Sequence, residues 1–331
     1  MNNFTYIRAT SVKDAVNRAV ADDNAMFIGG GTNLVDRLKA FLDEPSQLID
    51  ISRLQMQSIE KMANGSLRIG ALVTNTALAD HADIRRNYPI LTRAILSGAS
   101  QQIRNMATVG GNLLQKTRCP YYYDTAFLCN KRVPGSGCAA ATGINRMHAI
   151  LGASDQCVAV HPSDMCVALA ALDAVVEVEG SQGKRQIPFV DFHRLPENTP
   201  QRDSNLTPGE LISAVILPPV SFAKSGVYLK LRDRTSYSFA LISVAAALEL
   251  AGEKITDVRL ALGGVAHKPW RATAAEKFLI GKSADITTFT QAADIALQGA
   301  KPLADNGYKI ELTKRAIRRA LKVSAQGGGI A

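Results

Sequence analysis

"AMFIGGGTNL", residues 25–34, runs a short apolar strand directly into three consecutive glycines, a threonine and an asparagine. The apolar side chains through Phe27 and Ile28 call for burial in a sheet. The glycines let the backbone approach a ligand closely and turn successive N–H groups to one side, a concavity suited to an anion. Thr32 and Asn33 can complete it, and phosphate is the natural guest. The Rossmann fingerprint is not met, because after Gly29 and Gly31 the third glycine position holds Leu34, and the Walker lysine is missing. Taken alone, the motif also reads as a tight connection needing positive φ.

A second turn of the same kind, "TVGGN" at 108–112, again pairs glycines with a threonine and an asparagine. Two such turns in one β-α-β framework point to a shared pyrophosphate cradle. The framework is legible around them. Ser11 to Asp14 reads as a capping box, and Val12, Ala15, Val16, Ala19 and Val20 then share one helical face. "QLIDIS" is a further strand, residues 67–73 another, and Asn75 or Thr76 opens a helix. A helical stretch lies near Ile90 to Leu96. "HPSDMCVALAALDAVVEVEG", 161–180, gives a Ser163 N-cap, an almost wholly apolar helix with Cys166 as a small core residue, and a strand over Val176 to Val178. Residues 194–210 are polar and Pro-rich, and "ELISAVILPPV" is a strand ended by Pro218 and Pro219. Beyond a boundary near residue 220, two strands joined at Gly252 to Lys254 precede helices starting at Ala272 and Leu312.

A chain of 331 residues can bury a core without staples, and its N-terminus shows no basic region followed by an apolar run. It is expected neither to insert in a membrane nor to be secreted independently. The formal charge of +9 is scattered, apart from Lys314, Arg315, Arg318 and Arg319. With one Trp and no basic run interleaved with aromatics, no nucleic-acid partner is expected, and an acidic protein partner or phosphorylated cofactor suits the charge better.

"CPYYYDTAFLCNKRVPGSGC", 119–138, crowds three of five cysteines into backbone with no regular period, and Cys157 follows. Irregular loops can aim several thiolates at one centre, as iron–sulfur clusters and structural zinc require. The spacing of Cys119, Cys129, Cys138 and Cys157 matches neither zinc ribbons nor the compact ferredoxin run, so it does not choose the metal. Disulfides and free thiols are the competing readings. His148 and His161 are candidates for a mixed Cys/His site, and Tyr121, Tyr122 and Tyr123 are expected to pack over the segment.

The order "FIGGGTNL", "IGA", "ATVGGNL", "HPSDM", "YLKLRDR" and "ALGGVAHKPWRA" resembles the FAD-binding medium subunit of the molybdenum hydroxylases, over essentially the whole chain. The resemblance implies an α+β fold. A two-subdomain FAD-binding domain of the PCMH-like or VAO-like kind would occupy 1–220, split near 55. A smaller α+β domain of the CO dehydrogenase flavoprotein type would occupy 221–331. Most members connect the second glycine turn to the "SD" motif briefly, whereas here an insertion at about 115–160 intervenes. That insertion resembles one carrying a [4Fe-4S] cluster in the flavoprotein subunits of 4-hydroxybenzoyl-CoA reductase and of bacterial periplasmic aromatic aldehyde oxidoreductase.

By this resemblance Phe27, Ile28, Gly29, Gly30, Gly31, Thr32, Asn33 and Leu34 would hold the FAD pyrophosphate, with Thr108, Gly111 and Asn112 closing it from the other side. Asp164 would meet the ribose or adenine end, and Lys230 would lie near the isoalloxazine. The aromatic residue that stacks on the flavin in some relatives falls near Gly98, and the tyrosine-rich insertion is a candidate substitute. The implied role is an electron-transfer subunit of an aldehyde oxidoreductase with no catalytic residue of its own. A molybdenum-cofactor-binding large subunit would oxidise substrate, a [2Fe-2S] small subunit would relay electrons, and FAD would pass them to an external acceptor. The cluster is expected to be mainly structural, and the assembly a heterotrimer or a dimer of heterotrimers. Periplasmic location by co-export with a signal-bearing partner is expected, with the cytoplasm as alternative. The competing functions are a stand-alone FAD-dependent reductase and a zinc-bearing interaction module.

Overall fold

The computed structural model describes residues 1–220, 222 and 225–328. The expected boundary near 220 abuts positions 221, 223 and 224, which lie outside the described residues. Three sheets organise the chain. The first holds β1 (Thr5–Arg8), β2 (Ala25–Ile28) and β3 (Gln47–Asp50), all parallel, with β3 between the others. The second holds β4 (Ile59–Lys61), β5 (Leu67–Gly70), β6 (Val175–Gly180), β7 (Gly183–Pro188) and β8 (Leu211–Leu217) in the order β4-β5-β8-β6-β7, all antiparallel. The third holds β9 (Val227–Leu231), β10 (Ile242–Ala251), β11 (Lys254–Gly263) and β12 (Trp270–Arg271), also antiparallel.

The helix Val12–Ala21 makes the crossover from β1 to β2, as parallel pairing requires. Ser11 caps it by accepting from the Asp14 N–H at 3.0 Å, while the Asp14 carboxylate returns to the N–H of Thr10, one residue before the box position. Ala15, Val16 and Ala19 are buried, but Val20 is exposed and leaves the expected face.

The strand expected over 67–73 ends at Gly70, for a reason that bears on function. Ala71 still donates its N–H to Ser213 of β8, but the chain then turns, and the carbonyls of Ala71 and Val73 accept the N–H groups of Gly110 at 2.8 Å and Val109 at 2.9 Å. The second glycine turn is thus docked on the end of β5, and the next helix opens at Asn75, one of the two expected starts, with Thr74 as its cap.

The helix Asp164–Ala171 explains its own composition. Met165 to Ala171 are all buried, because the helix lies between β10 and β11 on one side and the helix Pro89–Ser97 on the other. Its all-round apolar surface is what double-sided packing demands. Ser163 caps it through the Cys166 N–H at 3.1 Å.

In the last third, the hairpin turn falls at Gly252 and Glu253, with Gly252 at φ +61°. The helix expected from Leu312 runs Tyr308–Ala325 and starts a turn earlier. Lys309 hides that turn from a hydropathy pattern: its side chain is fully buried, and its ammonium donates to the carbonyls of Met147 at 3.3 Å, His148 at 2.9 Å and Gly264. A helix at Ile286–Ala296 is not among the sequence expectations. Its β-branched, Thr-containing start weakens helical propensity, and packing of Phe289, Ala292, Ala293 and Ala296 against the helices Thr273–Leu279 and Tyr308–Ala325 supplies the stabilisation instead.

Candidate functional site

The first glycine turn leaves β2, the second follows the helix Gln101–Met106 and docks on the end of β5, and the two turns meet. A Cβ added at Gly30 would lie 1.8 Å from the Met106 carbonyl oxygen, and one added at Gly29 would lie 3.4 Å from Thr108 Oγ1. Only glycine permits that approach at position 30. Gly31 adopts φ +71°, the left-handed region that glycine tolerates at no steric cost. Together the turns floor a cleft of about 1250 Å³. This exceeds the roughly 300–1,000 Å³ of sites for drug-sized ligands and suits an extended cofactor. Phe27, Ile28, Gly29, Gly30, Gly31, Thr32, Asn33, Leu34, Thr108, Gly111, Asn112, Asp164 and Lys230 all line it.

The two turns contribute unequally. Among the described residues, the N–H groups of Gly29 to Asn33 donate to no protein acceptor, so five consecutive donors remain available. In the second turn, by contrast, Val109 and Gly110 donate to the carbonyls at 73 and 71, Gly111 to Thr108 Oγ1 at 3.2 Å, and Asn112 to the Thr108 carbonyl. Its N–H groups are spent on docking, and it offers the cleft side chains and close-packed glycine backbone. Asn112 Oδ1 accepts from Ser163 Oγ at 2.5 Å and Gln115 at 2.8 Å, tying this turn to the start of the buried helix.

Asp164 and Lys230 are in contact. Their carboxylate and ammonium lie 2.8 Å apart with both side chains nearly buried, and Tyr228 donates to the other Asp164 oxygen at 2.6 Å. The two residues therefore occupy one place in the cleft and cannot serve opposite ends of an extended cofactor, as the separate roles expected for them required. Gly98 packs here too, where a Cβ would come 3.1 Å from Asp164 Oδ2. The tyrosine triplet does not line the cleft: Tyr121 and Tyr122 face the cysteine cavity, and Tyr123 reaches Asn33 with its hydroxyl. The cleft's aromatic side chains beyond Phe27 are Tyr237 and Phe239, with the Arg118 guanidinium over the Phe239 ring at 5.2 Å. Sequence reasoning missed these two, which come from a loop far along the chain.

His161, Cys166 and His193 place potential ligand atoms within 4.8 Å of one another. Hydrogen bonding argues against a metal centre. Ser163 N–H donates to His161 Nδ1, which leaves the proton on Nε2, and His193 Nε2 donates to the Leu113 carbonyl, which leaves Nδ1 bare. Only one of the two imidazoles offers a lone pair. Burial pushes His161 down and His193 down to about 4, so both stay neutral.

Cys119, Cys129, Cys138 and Cys157 line one small cavity, and none of them forms a disulfide. Cys129 and Cys138 pair across a short antiparallel bridge. Asn130 ties the loops together, accepting from Gly137 N–H at 2.7 Å and donating to the Gln156 carbonyl at 3.0 Å. Burial pushes the Cys119 thiol up to about 12 and Cys157 up to about 11. His148, named above as a candidate for a mixed Cys/His site, places Nε2 at 3.1 Å from Cys119 Sγ.

The two cavities adjoin, since Thr117 lines both. Asp203 crosses between them, bound to Lys116 of the cleft at 2.5 Å and to Lys131 of the cysteine cavity. Burial works against this carboxylate, yet Lys116 and Lys131 hold it well below the usual carboxylate range.

The family model for the FAD binding domain in molybdopterin dehydrogenase matches residues 2–220, and that for the CO dehydrogenase flavoprotein C-terminal domain matches 227–323. The chain belongs to the FAD-binding medium-subunit family of the molybdenum hydroxylases. Within that family it is 50% identical to the aldehyde oxidoreductase FAD-binding subunit PaoB of Escherichia coli strain K12, over 97% of this chain and 98% of that one. It is 28% identical to the glyceraldehyde dehydrogenase medium chain of Sulfolobus acidocaldarius, over 96% and 97%. Among solved structures it superposes on quinoline 2-oxidoreductase from Pseudomonas putida 86 with TM-score 0.76, at 25% identity and 98% coverage of each chain. The family gives the cleft its ligand class, FAD, and the chain its role as the flavin-binding subunit of an oxidoreductase complex.

Proposed function

We propose that this chain is the electron-transfer flavoprotein subunit of a molybdenum-containing aldehyde oxidoreductase. A large subunit with the molybdenum cofactor would oxidise the aldehyde, a [2Fe-2S] small subunit would relay electrons, and this chain would hand them to an external acceptor. The observation that carries the reading is the row of five unpartnered N–H groups at Gly29 to Asn33, at the floor of a cleft long enough for a dinucleotide. FAD supplies redox chemistry that accepts electrons singly and releases them as a pair. The residues do the rest. Gly29 to Asn33 would hold the pyrophosphate by backbone N–H donation, Thr108, Gly111 and Asn112 would wall it in, and Lys230 would present positive charge partly balanced by Asp164. No side chain here is assigned a catalytic role on the aldehyde.

The cysteine quartet would hold a [4Fe-4S] cluster, which four thiolates in irregular backbone can supply and which would bind the loops of the insertion together. A division into 1–220, split near 55, and 221–331 is part of this reading, supported by the extents of the three sheets, with the insertion at about 115–160 lying between the second glycine turn and the buried helix. No helix among the described residues is long and apolar enough to cross a membrane. Location in the periplasm, by export already folded with a signal-bearing partner, is proposed from the likeness of the insertion, and cell fractionation distinguishes it from the cytoplasm.

Isolation of the tagged chain with its native partners tests the reading. One FAD and four irons on this chain, molybdenum in the complex, and flavin bleaching on addition of an aromatic aldehyde are expected. A complex that binds no flavin would overturn this reading, and one whose flavin stays oxidised with every aldehyde while NAD(P)H reduces it would replace it with the stand-alone reductase.

A further inference from the structure

We infer that His148 is a positioning residue for the proposed iron–sulfur centre: its Nε2–H donates a hydrogen bond to Cys119 Sγ and sets the potential of the cluster that this sulfur would ligate. The inference rests on the cluster reading above. The imidazole is 3% exposed, and Nε2 lies 3.1 Å from Sγ. A thiolate bound to iron carries no proton, so the proton of this contact must sit on the imidazole. The remaining ring nitrogen, Nδ1, is buried without a partner, which a bare lone pair tolerates better than an orphaned N–H donor.

The placement is built rather than incidental. The His148 carbonyl accepts from Lys309 Nζ at 2.9 Å and Asn306 Nδ2 at 3.2 Å, and its own N–H donates to the Asn145 carbonyl at 3.0 Å. Asn306 and Lys309 are fully buried and lie at the start of the helix Tyr308–Ala325. The C-terminal part of the chain thus fixes the backbone from which the imidazole reaches the cysteine loop. Asn306 also holds the neighbouring Ala149 carbonyl at 3.1 Å, so two consecutive peptide groups are clamped. Lys309 has no carboxylate partner among the described residues, and its charge is spent on three carbonyls around this segment.

An N–H donor on a ligating sulfur withdraws negative charge from the cluster and favours its reduced form. Hydrogen bonds to sulfur are among the factors that set such potentials. Loss of the donor should therefore move the midpoint to more negative values without removing iron. The test uses the assembled complex carrying His148→Phe and His148→Leu, which lack a donor, and His148→Gln, which keeps an amide N–H. Iron per chain is counted, and the cluster midpoint is read from a potentiometric titration followed by electron paramagnetic resonance.

Full iron with a negative shift in the donor-free variants, and a midpoint nearer wild type in the glutamine variant, is expected. If His148→Phe does not assemble, His148→Leu carries the same comparison. An unmoved midpoint with full iron overturns the inference, as does loss of iron from all three variants, which would make His148 a ligand or a scaffold. A wild-type complex without iron overturns the cluster reading itself, and this inference with it.

Discussion

Gly30 presses against the backbone of Met106 so closely that a Cβ at position 30 would sit 1.8 Å from the Met106 carbonyl oxygen. The obstacle is main chain, which cannot rotate away, so Gly30→Ala must push the two glycine turns apart. We expect a loss of about 1–3 kcal/mol in stability from overpacking, together with loss of bound flavin. Gly29→Ala meets only Leu72 and Thr108 side-chain atoms at ordinary contact distance and should retain flavin. Flavin-to-protein ratios and melting temperatures of the two variants check this, and a flavin-replete Gly30→Ala protein would refute it.

Asp164 and Lys230 oppose each other electrostatically within the cleft, so their removal should have opposite effects. Lys230→Met leaves a carboxylate facing the cofactor and should lower the flavin midpoint potential, with FAD retention weakened about tenfold, or about 1.4 kcal/mol. Asp164→Asn frees the ammonium and should raise the potential. Spectroelectrochemical titration of the two variants decides the matter, and shifts of the same sign would count against it.

Two neutral imidazoles make the fold sensitive to acid. Burial pushes His193 down to about 4, and burial reinforced by Lys131 pushes His267 down to about 4 despite Asp203 nearby. Between pH 6.5, the ordinary histidine value, and about 4, the unfolded chain takes up protons that the folded chain refuses. Their contribution is therefore complete above pH 6.5 and is lost as pH falls towards 4. Urea midpoints should be lower at pH 5 than at pH 7, and His193→Asn should reduce the difference.

Five cysteines divide into four and one. Cys119→Ser, Cys129→Ser, Cys138→Ser or Cys157→Ser should each deplete iron in the isolated complex. Cys166→Ala, in the helix between the sheets, should cost stability through packing and leave iron unchanged. Iron analysis of the five proteins checks this, and iron loss confined to Cys166→Ala would redirect attention to the His161 and His193 pair.

What the sequence revealed is what short segments decide. Ser11 and Ser163 announce helix starts within three residues, and both glycine turns declare themselves through local backbone need. The order of motifs then carried the family and its cofactor. What stayed hidden depends on residues distant in sequence. Asp164 and Lys230 are 66 positions apart, and their pairing follows only once β9 joins the third sheet, on which the buried helix packs. Tyr237 and Phe239 sit in a loop whose path is set by the third sheet, so nothing local marks them as cleft residues. Lys309 is a cation in an interior position, which hydropathy reads as surface. The unequal use of the two glycine turns likewise emerges only when β5 ends early and its carbonyls claim the N–H groups of the second.

Asp203 grips Lys116 on the flavin side and Lys131 on the sulfur side with a single carboxylate. Loading of FAD and of the proposed cluster should therefore be interdependent: with the cysteine loops slack, Lys131 loses its anchorage and Asp203 its alignment, and Lys116 shifts at the mouth of the cleft. Chains matured during iron starvation would then emerge short of vitamin-derived pigment as well as of metal.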